Sequence, residues 1–334
     1  MKPFIKNILY FLLLGFIPMA ILTFGYVYFD PFKVVKSYSN YSYPYVVPNK
    51  DYISTEMFLK NNSIQDYNSF VFGSSRTNAF RPSVWSNYLP IDSKPFVFDA
   101  SKETIYGIYT KLKFLDSLKT TNLKNVLIIL CRDYSFDYEK NSEGHLFIKH
   151  PITSKKNNIA FHFEFYKAYL DPKFLYCLYD YTLTKNYKSY MKGYIEFRKI
   201  TYDTLTNETN IIDKEQEITQ NPNAYYAKRA SVFYERVGEK TDTIKRINKT
   251  NYFMLKEIKR ILDKNKTKYK IVLSPLYEQI KFNSNDLFIL KSIFKNNIYD
   301  FSGKNYFTQK KINYYEASHY RPSVGDSILK IIYK

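Results

Sequence analysis

Between Ile8 and Phe29 the chain carries no charged residue, and those 22 positions are mostly Leu, Ile, Phe and other apolar types. As a helix, such a run extends about 33 Å, enough to cross the hydrocarbon core of a bilayer. Pro18 and two glycines interrupt it, which membrane helices tolerate. A cleaved signal peptide has an apolar core of about 7–15 residues that ends at small side chains. This run is longer and ends in Tyr26-Val27-Tyr28-Phe29-Asp30-Pro31, with no cysteine after it for lipid attachment. It therefore reads as an uncleaved anchor. Lys2 and Lys6 precede it and favour a cytoplasmic N-terminus. The expected organisation is a tail at 1–7, a transmembrane anchor at 8–29, a Pro- and Tyr-rich linker at 30–50 and a domain at 51–334 on the far side of the membrane.

The formal charge of +19 raises the question of a nucleic-acid partner. The 41 lysines far outnumber the nine arginines and are spread along the chain without a block. A nucleic-acid surface is clustered and richer in Arg, so no nucleic-acid partner is expected. The two cysteines, Cys131 and Cys177, have no metal-binding spacing, and a disulfide between them stays open. No motif for a metal or cofactor is present.

Beyond residue 50, strand and helix patterns alternate. Phe70–Phe72, Phe96–Phe98, 125–130, 270–274 and 297–301 read as strands. Helices are predicted over 103–118, 251–265 and 286–294, and at the C-terminus. The tetrapeptide Arg-Pro-Ser-Val occurs at 81–84 and again at 321–324, and each copy is expected to open a helix. Alternation of this kind implies an α/β domain around a mostly parallel sheet, whose ligands bind beyond the carboxyl ends of the strands. That edge receives Gly73-Ser74-Ser75, Cys131-Arg132-Asp133 and Ser274-Pro275. Residues 134–250 do not follow the alternation and read as a large insertion over the sheet edge, a lid or a partner surface.

The chemistry-bearing residues fall at that edge. A serine needs a base, and imidazole suits the task at neutral pH. Of His145, His150, His162 and His319, the first three lie in the insertion, with His145 and His150 read as its surface. His319 follows the last strand, three residues after Glu316, a spacing that lets a carboxylate fix the imidazole tautomer. Taken alone, Gly-Ser-Ser is an ordinary turn and Glu-x-x-His an ordinary loop. Asp133 alone reads as a loop carboxylate, and Ser74 as a residue that holds the turn.

Taken together, Gly73-Ser74-Ser75 after the first strand and Glu316-Ala317-Ser318-His319-Tyr320-Arg321-Pro322 near the C-terminus resemble the SGNH/GDSL hydrolase superfamily. The closer resemblance is to its membrane-anchored exported branch, which includes alginate O-acetyltransferase-like and teichoic-acid D-alanyl transfer proteins. The resemblance implies a three-layer α/β/α sandwich, flavodoxin-like in its sheet, and a serine esterase or O-acyltransferase at the bacterial inner membrane with its main domain periplasmic. It implies Ser75 as nucleophile, His319 as general base and acid, Glu316 as its orienting group and the Ser75 N–H as an oxyanion donor. A multi-spanning membrane acyltransferase is the implied partner, and a cell-envelope carbohydrate the implied acceptor or substrate. Two departures stand out. In the second block, Asp99-Ala100-Ser101 is followed by Lys102 where relatives often have glycine. The third block, Leu130-Cys131-Arg132-Asp133, lacks the expected Asn, leaving Arg132 or Arg76 as candidate donors. Transfer and hydrolysis both remain open, as does a degenerate scaffold used for binding or assembly in envelope glycan biosynthesis.

Overall fold

The computed structural model describes residues 2–118, 121–137, 143–236 and 238–334. Met1 of the expected tail, and residues 138–142 and 237 of the expected insertion, lie outside them. The apolar run forms one helix, α1 (Lys2–Phe29), with Pro18 inside it. By length and composition it can cross a membrane, and almost none of its apolar window is buried against the rest of the protein.

Asp30 ends the helix with φ +40°. Its carboxylate accepts the backbone N–H groups of Val34 (2.9 Å), Val35 (3.0 Å) and Lys36 (2.9 Å) and the Tyr38 hydroxyl (3.1 Å). The following segment, to Asn49, expected from the sequence to be a linker, holds no helix or strand. It is nevertheless packed, with Phe32, Val34, Tyr41 and Val46 buried. Next comes a helix that the sequence pattern does not announce, α2 (Lys50–Gln65). Asn49 caps it by accepting from the Tyr52 N–H at 2.9 Å.

The central elements alternate as expected: β1 (Ser69–Gly73), α3 (Pro82–Trp85), β2 (Pro95–Val97), α4 (Ile105–Ser117) and β3 (Asn125–Leu130). The stretch after β3 contains α5 (Pro151–Ser154), α6 (Asn158–Tyr169), α7 (Pro172–Thr184), the hairpin β4 (Ile200–Tyr202) and β5 (Thr209–Ile211), α8 (Ile212–Gln220), α9 (Pro222–Ala227) and β6 (Lys240–Thr241). Then follow α10 (Lys249–Lys264), β7 (Lys268–Leu273), β8 (Ile280–Lys281), α11 (Ser284–Phe294), β9 (Ile298–Asp300), β10 (Tyr314–Glu316), β11 (His319–Tyr320) and α12 (Pro322–Ile332). Both Arg-Pro-Ser-Val copies open helices, α3 and α12, with proline in the first turn.

The main sheet has the order β2-β1-β3-β7-β9, and all four pairings are parallel. Alternate side chains of its strands enter two apolar clusters. Phe70, Phe72, Phe96, Ile128 and Ile271 pack with residues of α2, α4, α10 and α11. Val71, Val97, Leu127, Ile129 and Val272 pack with Trp85 of α3 and with Ile328 and Leu329 of α12. Burial on both faces explains why these strands read as continuous apolar runs. From β1 the chain moves outward to β2, then crosses back to β3 on the other side. That reversal opens a crevice beyond the carboxyl ends of β1 and β3.

Candidate active site

Gly73 ends β1 with φ +151°, a conformation that L side chains rarely adopt. A Cβ there would also sit 2.6 Å from the Ile129 carbonyl oxygen. The turn thus needs glycine both for its backbone and for its closeness to β3. It passes directly into a tight 3-10 turn over Ser75–Ala79. Ser75 opens that turn, so its N–H has no partner within it. Thr77, two residues on, donates its hydroxyl to the buried Asp99 carboxylate at 3.0 Å, tying the turn to the segment just after β2.

Glu316 and His319 are a cross-strand pair of the β10–β11 hairpin, with Ala317-Ser318 as its tip. The i, i+3 spacing therefore places both side chains together. His319 Nε2 lies 2.6 Å from Ser75 Oγ, and His319 Nδ1 lies 2.6 Å from Glu316 Oε1. The hydrogen bond from His319, with the charge of Lys214 assisting, holds the Glu316 carboxyl well below the usual range against the opposing effect of burial. An ionised Glu316 accepts from Nδ1–H, which leaves Nε2 free to accept from the Ser75 hydroxyl. Ser318 Oγ also lies 3.0 Å from Nδ1. The arrangement can pass the Ser75 proton to an imidazole whose charge the carboxylate offsets.

Residues of the long stretch between β3 and β7 hold this hairpin. Lys214 Nζ donates to Glu316 Oε2 at 3.2 Å. Tyr225 and Tyr226 of α9 donate their hydroxyls to the Tyr315 and Tyr314 carbonyls at 2.8 and 2.9 Å. Glu215 pairs with Arg321 at 2.6 Å and accepts from the Tyr315 hydroxyl. From the sheet side, Tyr320 and Ser274 share a hydrogen bond at 3.2 Å, and Tyr314 donates to the Pro275 carbonyl at 2.8 Å. Sequence reasoning missed Lys214, Glu215 and the two tyrosines because they lie about a hundred positions from the hairpin and carry no local motif.

A cavity of about 310 Å³ opens over Ser75, at the lower end of the ~300–1,000 Å³ common for ligand sites. Its lining includes Ser75, Asn78, Ser101, Glu316 and His319, together with Ile200, Tyr202, Thr209 and Lys214. Lys50 and Asp99 are also in its lining. Lys50 Nζ donates to Asn207 at 2.9 Å and Thr209 at 3.1 Å, and burial lowers its ammonium to about 8. A second cavity of about 420 Å³ shares Asn78, Thr209 and Ile211 with the first.

The remaining sequence candidates do not line the Ser75 cavity. Ser74 is buried and accepts from Arg76 Nη1 at 3.3 Å. The Arg76 guanidinium is buried and paired with Asp133 at 3.3 Å. Arg132 is held by Glu278 at 2.6 Å and Asp242 at 3.2 Å, and also faces Asp133 at 3.6 Å. Of the candidate oxyanion donors, Arg132 has its hydrogen-bonding capacity drawn into this ion network, whereas Arg76 pairs through its two terminal nitrogens and keeps a buried Nε without a hydrogen-bond partner among the described residues. Lys102 has φ +49°, and its ammonium lies over the rings of Tyr134 and Phe147. His150 is not on the insertion surface: it is buried, with Nε2 at 3.1 Å from Glu56 and Nδ1 accepting from the Ile152 N–H. His145 is half-buried against Phe32. Cys131 and Cys177 are free and buried in separate parts of the core.

No protein-family model matches the chain, and no curated protein matches it either.

Proposed function

We propose that the chain is a membrane-anchored, extracytoplasmic serine acyl-ester enzyme of the SGNH type. The observation that carries this reading is the unbroken hydrogen-bonded line from Ser75 Oγ through His319 to Glu316, with 2.6 Å at each step. The fold reading is a three-layer α/β/α sandwich, supported by the strand order and by the two apolar clusters that flank the sheet. Lys102 supports it in a further way. Its positive φ is the backbone state that glycine adopts at ease, so the residue keeps a glycine-like backbone at that position of the second block.

In this reading, Ser75 Oγ attacks the carbonyl carbon of an acyl ester while His319 Nε2 takes the serine proton. The oxyanion that forms accepts from the Ser75 N–H. The bond to the leaving oxygen breaks as His319 returns the proton to it, which leaves acyl-Ser75. A carbohydrate hydroxyl, or water, then attacks that ester and gives its proton to His319, and Ser75 is released protonated. The acyl group is an acetyl or a similarly small group, and the acceptor is a cell-envelope polysaccharide. A multi-spanning membrane acyltransferase would supply the donor. In this reading the N-terminus is cytoplasmic and the domain lies outside the bacterial inner membrane, a topology supported by Lys2 and Lys6.

A fluorophosphonate probe followed by intact mass measurement tests the reading. One adduct on the wild type that is absent from Ser75→Ala supports it. No adduct on folded wild type, together with unchanged glycan acylation in cells carrying Ser75→Ala, would sink it. A second reading, a scaffold for binding or assembly, draws on the ion pairs that occupy Arg132 and Asp133 where relatives place an oxyanion donor. It requires Ser75→Ala and His319→Ala to leave the cellular phenotype intact.

A further inference from the structure

We propose that α6 and α7 form a second membrane contact, an apolar face with lysines around it that lies in the headgroup boundary of the leaflet that α1 leaves. The inference rests on the reading of α1 as an anchor.

Both helices are attached to the last turns of α1. Tyr166 of α6 reaches Met19 Sδ at 3.1 Å and shares a hydrogen bond with Thr23 Oγ1 at 2.7 Å. The Tyr169 ring packs on Tyr26 at 5.3 Å, and Tyr179 of α7 packs on Phe29 at 5.6 Å. With Lys6 at the opposite surface, about 20 residues carry the helix through the bilayer core, to the neighbourhood of Tyr26. Met19 and Thr23 then lie below the headgroups, and a helix whose side chain touches them lies at the same boundary.

The residues making these contacts belong to stripes that continue into open surface. On α6, Ile159, Phe163 and Tyr166 follow one another at i, i+4 and i+7. Ile159 and Phe163 are 80% and 58% exposed. On α7, Tyr176, Tyr179 and Leu183 form the matching stripe, with Tyr176 and Leu183 62% and 82% exposed. Aromatic and aliphatic side chains at this depth fit a membrane interface. Charge agrees, because residues 151–192 hold seven lysines and three carboxylates. A basic surround suits anionic headgroups.

The test uses the full chain in nanodiscs of phosphatidylcholine and phosphatidylglycerol. A polarity-sensitive fluorophore is placed on Phe163→Cys and on Leu183→Cys, with Ile159→Cys as an alternative position on α6. Ile91→Cys, on an exposed loop before β2, serves as the aqueous reference, and Leu13→Cys as the reference within α1. Trp85 emission reports that each variant is folded. Labels at 163 and 183 should lose most of their emission to lipids spin-labelled near the headgroup and be shielded from aqueous iodide, while the label at 91 does the reverse. If 163 and 183 behave like 91 while 13 is quenched by lipid, the inference fails and the anchor stands. If 13 also escapes lipid, the anchor reading fails and takes the inference with it. Shielding that grows with protein concentration and ignores lipid labels would assign the face to a second copy and overturn the proposal.

Discussion

Gly325 of α12 faces the carbonyl of Ala79, the last residue of the turn that Ser75 opens. A Cβ at Gly325 would lie 1.8 Å from Ala79 O and 2.5 Å from Ala79 C. Carbon and oxygen rarely approach within about 3 Å, so α12 or the turn must retreat by roughly 1.2 Å in Gly325→Ala. Both atoms in collision belong to backbone or to a fixed Cβ, so no side-chain rotation relieves the contact. Overpacking of this kind costs about 1–3 kcal/mol. The movement also separates the two halves of the site, because His319 enters α12 through only Tyr320 and Arg321. A displacement of about 1 Å in a reacting geometry can cost on the order of 100-fold in rate. Denaturant unfolding followed by Trp85 emission reads the first effect, and the rate of fluorophosphonate labelling reads the second. Lys330→Ala, on the exposed side of the same helix, should change neither. Wild-type stability and labelling in Gly325→Ala would refute the argument that α12 and the Ser75 turn are held at contact.

Glu316→Gln should lower labelling by on the order of 100- to 10,000-fold while leaving the fold intact, because the amide cannot offset the charge on His319; a rate within a few fold of wild type would remove Glu316 from the site. Lys214→Met should have a smaller effect, no more than about 1 kcal/mol or fivefold, because the pair is partly exposed and screened. Lys214 helps to hold the Glu316 carboxyl low, so its loss should raise the pH at which that carboxyl takes a proton, read by carboxyl-carbon NMR, and Lys214→Arg should restore it. Burial lowers the Lys50 ammonium to about 8, so between that pH and the ordinary value the unfolded chain binds the extra proton. Lys50 therefore makes the folded state gain stability as pH rises through that window, and Lys50→Met should lose this slope when its unfolding free energies at pH 8 and pH 10 are compared with those of wild type.

The sheet and the pair Glu316/His319 were legible in the sequence because local patterns carry them. Phe70–Phe72 and the 125–130 run are apolar throughout because both faces of their strands are covered, and Glu-x-x-His is a two-residue hairpin tip. Helix α2 was not legible. Its first turns bury Lys50, Asp51, Ser54 and Thr55, so no apolar stripe marks it. These polar residues are stabilised by partners far along the chain, among them Lys111, at 3.0 Å from Asp51, and Lys149. The same reason hid the support of the β10–β11 hairpin: Lys214 and Tyr225 find Glu316 and Tyr315 only through the tertiary fold. His150 misled because its burial comes from α2, through Glu56, and from the backbone of α5.

The packed segment from Asp30 to Asn49 has a consequence for how far the site can range. A loose tether of about 20 residues would let its domain wander by roughly 25 Å around the point of attachment. Phe32, Val34 and Val46 are instead locked in the cluster that holds the foot of α1 to α6 and α7. On the anchored reading, the mouth of the Ser75 cavity then keeps a set height above the bilayer, like a tool on a fixed stand. Reach must come from the other participant, so a substrate would be selected by how close to the membrane it can present its reacting group as well as by its fit to the cavity.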